Sequence, residues 1–202
     1  MNIVSISVYG SNPIYTIGAV ENAKLMPAIY PGWVLRAHTK DVPPEILKQL
    51  RGLGCQVVEM DWGIESGMFW RFLPASENAD YVIFRDSDSR INVREQAAVG
   101  AWITSGKLCH VMRDHKNHHN PIYPIFAGMW GIKGGKIDMR GLIAAWSFSS
   151  QYCDDLNFLR EKIWPLVCND SCVHDRNAFP PHQPYYGFVG QRFDQYNKGY
   201  PD

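Results

Sequence analysis

The chain has no surplus of either charge: 20 Lys and Arg stand against 20 Asp and Glu in 202 residues. With no basic excess or stripe, no nucleic-acid partner is expected. No apolar run approaches the roughly 18 residues a membrane helix needs, so no span is expected. The start, Met1-Asn2-Ile3-Val4-Ser5-Ile6-Ser7, lacks a basic segment ahead of an apolar one and alternates like a strand, so no secretory leader is expected. Cysteine is sparse. Five scattered residues, an odd number, fit reduced thiols better than a disulfide framework. These absences together lead us to expect a cytoplasmic protein. Internal repeats and low-complexity linkers are also lacking, so residues 1–202 read as one domain. The turn Gly10-Ser11-Asn12-Pro13 is not Gly-x-Gly-x-x-Gly, which disfavours a dinucleotide site. It is not Gly-x-x-x-x-Gly-Lys-Ser/Thr either, which excludes a P-loop.

What is present centres on Tyr81-Val82-Ile83-Phe84-Arg85-Asp86-Ser87-Asp88-Ser89-Arg90-Ile91. Its first half is short, apolar and rich in β-branched and aromatic residues, the pattern of a buried strand. It stops at two carboxylates one residue apart. In an extended segment, residues i and i+2 point the same way. Asp86 and Asp88 would then both face a crevice at the carboxyl end of the strand, where open α/β sheets bind ligands. Two hard oxygen donors suit Mg²⁺ or Mn²⁺, which complete their shells with water and phosphate oxygens. An Asp/Ser turn after a strand explains the same residues. A calcium loop does not, because its sixth position is Ile91 and not Gly.

The surrounding chain reads as α/β. Strands over 3–9, 33–39 and 55–60 alternate with helices over 14–30 and from Asp41 to about Leu53, which implies parallel strands with right-handed crossovers. Pro27 and Pro31 are expected to end the first helix. A short helix over 66–75 precedes the Asp-bearing strand and carries Arg71 among aromatic residues. Its guanidinium either stacks on rings at the surface or aims at a diphosphate. A helix over 92–105, capped by Asn92, leads to a fifth strand over 107–112. Arg113, Asp114, His115, Lys116, Asn117, His118, His119 and Asn120 then form a dense polar loop. The three histidines have neither a helix to fix them nor a partner Glu, which argues against zinc. Arg113 and His115 read instead as donors to sugar hydroxyls or phosphate. The small residues around Gly128 let backbone approach a ligand. Helices follow over 136–150 and 152–165. Asp154 and Asp155 open the second, either as caps or as carboxylates facing a cleft. His174 is either structural or a third metal ligand. The Pro-, Gly- and aromatic-rich run 180–191 reads as an ordered flap or as the end of the domain.

Read in order, several blocks resemble the GT-A glycosyltransferases, which use nucleotide sugars and an Asp-x-Asp motif. The blocks are Phe84-Arg85-Asp86-Ser87-Asp88-Ser89-Arg90, Met112-Arg113-Asp114-His115, Ala127-Gly128-Met129-Trp130-Gly131, Asp155-Leu156-Asn157-Phe158-Leu159 with Trp164-Pro165, and His174-Asp175. The set is most similar to small glycosyltransferases of bacteria and large DNA viruses, including chlorovirus enzymes that build capsid glycans. Leu156 departs from the family, where a Gln would be expected. The resemblance implies a single Rossmann-like GT-A domain with a mixed, mostly parallel sheet flanked by helices. Residues 1–90 would form its nucleotide half and 91–202 its donor-sugar and acceptor half. It also implies a UDP-sugar donor, Mn²⁺ or Mg²⁺, and a glycan or glycoprotein acceptor such as a viral capsid protein; a viral enzyme would work in the host cytoplasm. Asp88 would bind the metal, Asp86 with Ser87 the metal or ribose, and His174 would complete the metal shell. Ser7, Tyr9 and Gly10 would hold uracil and ribose. Arg71 would lie near the base or phosphates, Arg113 would donate to the nucleotide sugar, and Gly128 and Met129 would lie beside the donor sugar. Asp155, or Asp154 beside it, would face the anomeric carbon. Two other readings compete. One is a phosphohydrolase with Asp86 as nucleophile, disfavoured because such pairs usually follow the first strand. The other is a metal-dependent carbohydrate-binding module.

Overall fold

Among the described residues a single sheet of seven strands forms: β1 (Asn2–Tyr9), β2 (Val34–Lys40), β3 (Gln56–Glu59), β4 (Tyr81–Phe84), β5 (Cys109–Arg113), β6 (Trp130–Ile132) and β7 (Ser171–Asp175). The computed structural model describes residues 1–61, 66–149, 153–175 and 187–200. The strand order is β3-β2-β1-β4-β6-β5-β7. Pairs β1–β2, β2–β3, β1–β4 and β5–β7 are parallel, while β6 runs antiparallel between β4 and β5. The expected mixed, mostly parallel α/β sheet is therefore present. Its chain order reverses between β1 and β4, the kind of switch point that opens a crevice at the carboxyl ends of the strands.

The central strands β1 and β4 are buried on both faces, as a sheet flanked by helices on both sides requires. Val4, Ile6 and Val8 of β1 pack with Leu35, Ala37 and Ile83 against α1 (Pro13–Ile29), α2 (Pro44–Gly52) and α3 (Val93–Ser105). On the other face, Ile3, Val82, Phe84, Val111 and Trp130 pack against a 3₁₀ helix (Gly67–Ser76), α4 (Met139–Ala144) and α5 (Asp154–Phe158). α5 continues through a π-turn (Leu159–Ile163) into α6 (Trp164–Val167). Such turns are rare and frequently lie at functional sites.

Three local expectations need correction. Pro27 lies inside α1, which continues to Ile29; Tyr30 N–H still bonds Met26 O at 2.9 Å, so the last turn survives the missing proline donor. The helix expected over 136–150 shrinks to Met139–Ala144, which starts where Asp138 accepts from Gly141 N–H. β6 and β7 are strands that no period announced. Residues 180–186 of the expected flap and Tyr152 lie outside the described residues.

A charged cluster is buried where β4 meets α3. Arg85 Nε donates to Glu95 Oε1 at 2.9 Å, and Tyr30 OH donates to the same oxygen at 2.9 Å. Arg85 also donates to the carbonyls of Phe84 and Gly128. Burial and the Glu95 carboxylate push the Tyr30 hydroxyl well above its usual range. Glu95→Ala strands a desolvated guanidinium. It is expected to cost about 3–5 kcal/mol, read from the urea unfolding midpoint, with Glu95→Gln costing less.

Candidate active site

A cleft of about 1080 Å³ opens over the carboxyl ends of β1 and β4. That is at the upper end of small-ligand sites, which typically span about 300–1,000 Å³. Most of the residues singled out from the sequence line it: Ser7, Tyr9, Gly10, Arg71, Asp86, Ser87, Asp88, Gly128, Met129 and Asp155.

β1 begins the construction. Ser5, Ser7 and Tyr9 share one face of the strand. Ser5 Oγ donates to Arg71 O at 2.7 Å, and Ser7 Oγ accepts from Arg71 N–H at 3.0 Å. These two bonds fix the backbone of Arg71 in the 3₁₀ helix. Tyr9 packs edge-on against Trp70, and Gly67 leaves room for its ring, since a Cβ there would lie 2.5 Å from Tyr9 Cδ1. Thus anchored, the buried Arg71 guanidinium bridges two carboxylates. Its Nη1 donates to Asp86 Oδ1, and its Nη2 donates to Asp155 Oδ2 at 2.7 Å.

Asp86 reaches Arg71 because it continues the Val82–Phe84 face of β4. Beyond it the chain is not extended: Ser89 N–H and Ser89 Oγ both bond Asp86 O, closing a turn over 86–89. The turn and the cleft are therefore one feature: strand alternation carries Asp86 into the cleft, and the turn brings Asp88 to it. Helix α1 holds this turn from beneath. Asn22 Nδ2 donates to Ser89 O at 2.8 Å, and Asn22 Oδ1 accepts from Ile91 N–H at 2.9 Å. Gly18 permits the approach, because a Cβ there would lie 2.1 Å from Ser87 O. Gly128 does the same for Asp86, whose Oδ2 would lie 2.0 Å from an added Cβ.

The electrostatics are those of crowded carboxylates. Burial, then the nearby Asp86, raises the Asp88 carboxyl above its usual range, against the pull of Arg192. Burial also raises Asp155, while Arg71 opposes the shift and Asp86 adds to it. A divalent cation would relieve the repulsion between Asp86 and Asp88. Among the described residues no three His, Cys, Asp or Glu side chains gather as a metal cluster. The protein thus offers two hard carboxylates in a roomy cleft. That donor set fits Mg²⁺ or Mn²⁺, whose remaining positions go to water and phosphate oxygens.

Three expected site residues do not come to the cleft. His174 Nδ1 lies 2.8 Å from His110 Nε2, on a strand separated from β4 by β6 and β5. Three strand spacings, about 14 Å, part it from the aspartates, so it does not join them as a third ligand. Asp154 turns away and accepts from Trp146 Nε1, Ser149 N–H and Ser149 Oγ at 3.0–3.2 Å. Arg113 shares the β5 face of Cys109 and Val111, and its guanidinium donates to Pro124 O at 2.7 Å.

The same cleft is also lined by a cluster of rings. His115 stacks on Phe188 at 4.5 Å, and His118 lies between Phe126 and Phe188. His118 Nδ1 accepts from His115 N–H, and His115 Nδ1 accepts from Asn117 N–H. Each ring thus spends a nitrogen on backbone, which argues against zinc. Burial, then His115, pulls His118 down to about 4, so it is neutral near pH 7. Its Nε2 then carries the proton and is a donor. Sequence reading missed Asn22, Gly18 and Arg192. The first two had a signal in a small and a polar residue on the apolar face of α1.

No family model matches the sequence, and no curated protein does. Solved structures do match the fold. One is a glycosyltransferase involved in glycosylation of the major capsid of PBCV-1: 14% identity over 86% of this chain and 81% of that one, TM-score 0.53. Another is the galactosyltransferase LgtC with donor and acceptor sugar analogs: 17% identity over 86% of this chain and 73% of that one, TM-score 0.53. The chain has the GT-A glycosyltransferase fold. A third GT-A structure is glucosyl-3-phosphoglycerate synthase from Mycobacterium tuberculosis with Mn²⁺, UDP and glucosyl-3-phosphoglycerate: 16% identity over 86% of this chain and 69% of that one, TM-score 0.53. Among the described residues no helix is long and apolar enough to cross a membrane.

The close approach of α1 gives a direct test. Gly18→Ala forces the helix and the 86–89 turn apart. It is expected to cost roughly 1–3 kcal/mol in thermal or urea unfolding, as overpacking typically does. Gly52→Ala, where an added Cβ meets nothing within 4 Å, is the control.

Proposed function

We propose that this chain is a metal-dependent glycosyltransferase that moves a hexose from a UDP-sugar to a hydroxyl of a glycan or glycoprotein. The observation that carries the reading is the meeting of Asp86, Asp88, Arg71 and Asp155 in one cleft on a GT-A fold. Asp86 and Asp88 would hold Mn²⁺ or Mg²⁺, which would supply positive charge to the leaving diphosphate. The nucleoside would lie along residues 1–90, with Tyr9 offering a ring face beside uracil and Gly10 leaving backbone room. Gly128 and Met129 would border the donor sugar.

Glycosyl transfer passes through a cation-like sugar, as glycoside hydrolysis does. Asp155 is the carboxylate suited to it. Its two oxygens are held in place, one by Arg71 and one by Leu156 N–H at 2.9 Å, so little rotation is left to freeze. Its raised pKa makes it a better proton acceptor than an ordinary aspartate, which favours base catalysis on the incoming hydroxyl. Charge stabilisation of the sugar cation needs the same ionised form. The neutral aromatic cluster with imidazole and amide donors favours an uncharged saccharide as acceptor.

In a thermal melt, UDP is expected to raise Tm only with Mn²⁺ or Mg²⁺ present, and Asp88→Ala to abolish the shift. Absence of any shift with UDP and metal together would sink the reading. Asp155→Asn should retain UDP binding and lose roughly 10²–10⁴-fold in kcat. Because the working form of Asp155 is ionised and its pKa is raised, kcat/KM should fall as pH drops. That acid limb should lie above the ordinary aspartate value of about 3.9.

A further inference from the structure

The segment 187–200 closes over the aspartate turn, and its backbone is anchored at several points. Val189 N–H donates to Asp114 Oδ2 at 2.9 Å. Phe193 N–H donates to Asp88 O at 2.8 Å, and Ser89 and Arg192 form an antiparallel bridge. Arg90 Nε donates to Asn197 Oδ1 at 2.8 Å. On this fixed backbone Arg192 extends a side chain that is 58% exposed, and its Nε donates to Asp88 Oδ2 at 2.7 Å. The cation on the carboxylate best suited to a metal is thus the protein's own.

We propose that Arg192 is an exchangeable counter-cation: it neutralises Asp88 when no metal is bound and turns to the nucleotide diphosphate when a divalent cation takes that carboxylate. The inference rests on the metal and UDP reading above. The physical argument is one of competition. A divalent cation on either oxygen of Asp88 meets the guanidinium's positive charge beside it and withdraws the charge that holds it there, so metal alone binds against Arg192. A diphosphate arriving with the metal offers the displaced fork a better acceptor, since guanidinium–phosphate bonds are charge-assisted and can be bidentate. Binding of metal and of nucleotide is then coupled, each favouring the other, and the coupling runs through one side chain. The anchored backbone keeps the guanidinium at the mouth of the cleft in both states, so the exchange is a side-chain rotation and not the opening of a lid.

The experiment is calorimetric titration of Mn²⁺, and of UDP at saturating Mn²⁺, into wild type, Arg192→Gln and Arg192→Lys. Arg192→Gln should bind Mn²⁺ alone roughly fivefold tighter, the scale of losing one partly exposed ion pair. It should bind UDP with Mn²⁺ roughly tenfold weaker, the scale of a charge-assisted bond to phosphate. Arg192→Lys should fall between the two. Thermal melts of each variant without ligand check that the fold is kept. Mn²⁺ binding to Arg192→Gln no tighter than to wild type, with UDP binding intact, overturns the exchange while leaving the metal site standing. Wild type and Arg192→Gln that both bind no Mn²⁺, with or without UDP, and match Asp88→Ala overturn the metal reading and the exchange together.

Discussion

A single buried guanidinium holds the cleft in shape. Asp86 and Asp155 come from the end of β4 and the start of α5, and alone they would repel. Arg71 takes one oxygen of each. Burial on its own would weaken the proton on Arg71; Asp86 and Asp155 outweigh it and raise the pKa. A buried ion pair adds little net stability, because desolvation offsets the attraction, but removing one partner is costly. Its contribution here is to geometry: it sets how far apart two carboxylates from different elements stand. Arg71 is itself positioned by Ser5 and Ser7, so the placement of the catalytic candidates traces back to two hydroxyls on one face of the first strand.

The parts of this arrangement differ in how visible they are in the sequence. β1, β2 and β4 announce themselves by apolar runs, and the Asp pair stands out at the end of one. The path from the Asp pair to the cleft was not legible, because strand alternation and a turn both bring two carboxylates to one side. His174 misled for a topological reason. The order of strands in a sheet is not written in their order along the chain, and β7 joins beyond β5, far from β4. β6 is three residues long and contains a glycine, too short for a period. Arg192 and Lys198 are scattered through an aromatic, glycine-rich tail, where two spaced basic residues carry no pattern. Asn22 was the readable signal that went unused: a polar side chain on the inward face of α1 needs a buried partner, and the turn backbone supplies it.

The cleft is divided by charge. Its lining holds Asp86, Asp88, Asp155 and Arg71, and also a cluster of rings and amides in which His118 is held neutral. A metal diphosphate and a sugar ask for different surroundings, one for fixed charges and the other for ring faces with a few directed hydrogen bonds. The cleft lining holds groups of both kinds, drawn from helices and loops around the sheet.

The bond from Arg192 to Asp88 spans 104 residues. Contacts of such separation require long loops to close, and they form late relative to the local strand–helix units. As the chain leaves the ribosome, β1 to β4 and their helices can assemble while residues 187–200 are still unmade. Over that interval Asp86 and Asp88 lack the cation that later covers one of them. The first half of the sheet can therefore form before its cleft is a finished site, and the last described segment to be synthesised completes the electrostatics of a turn laid down a hundred residues earlier.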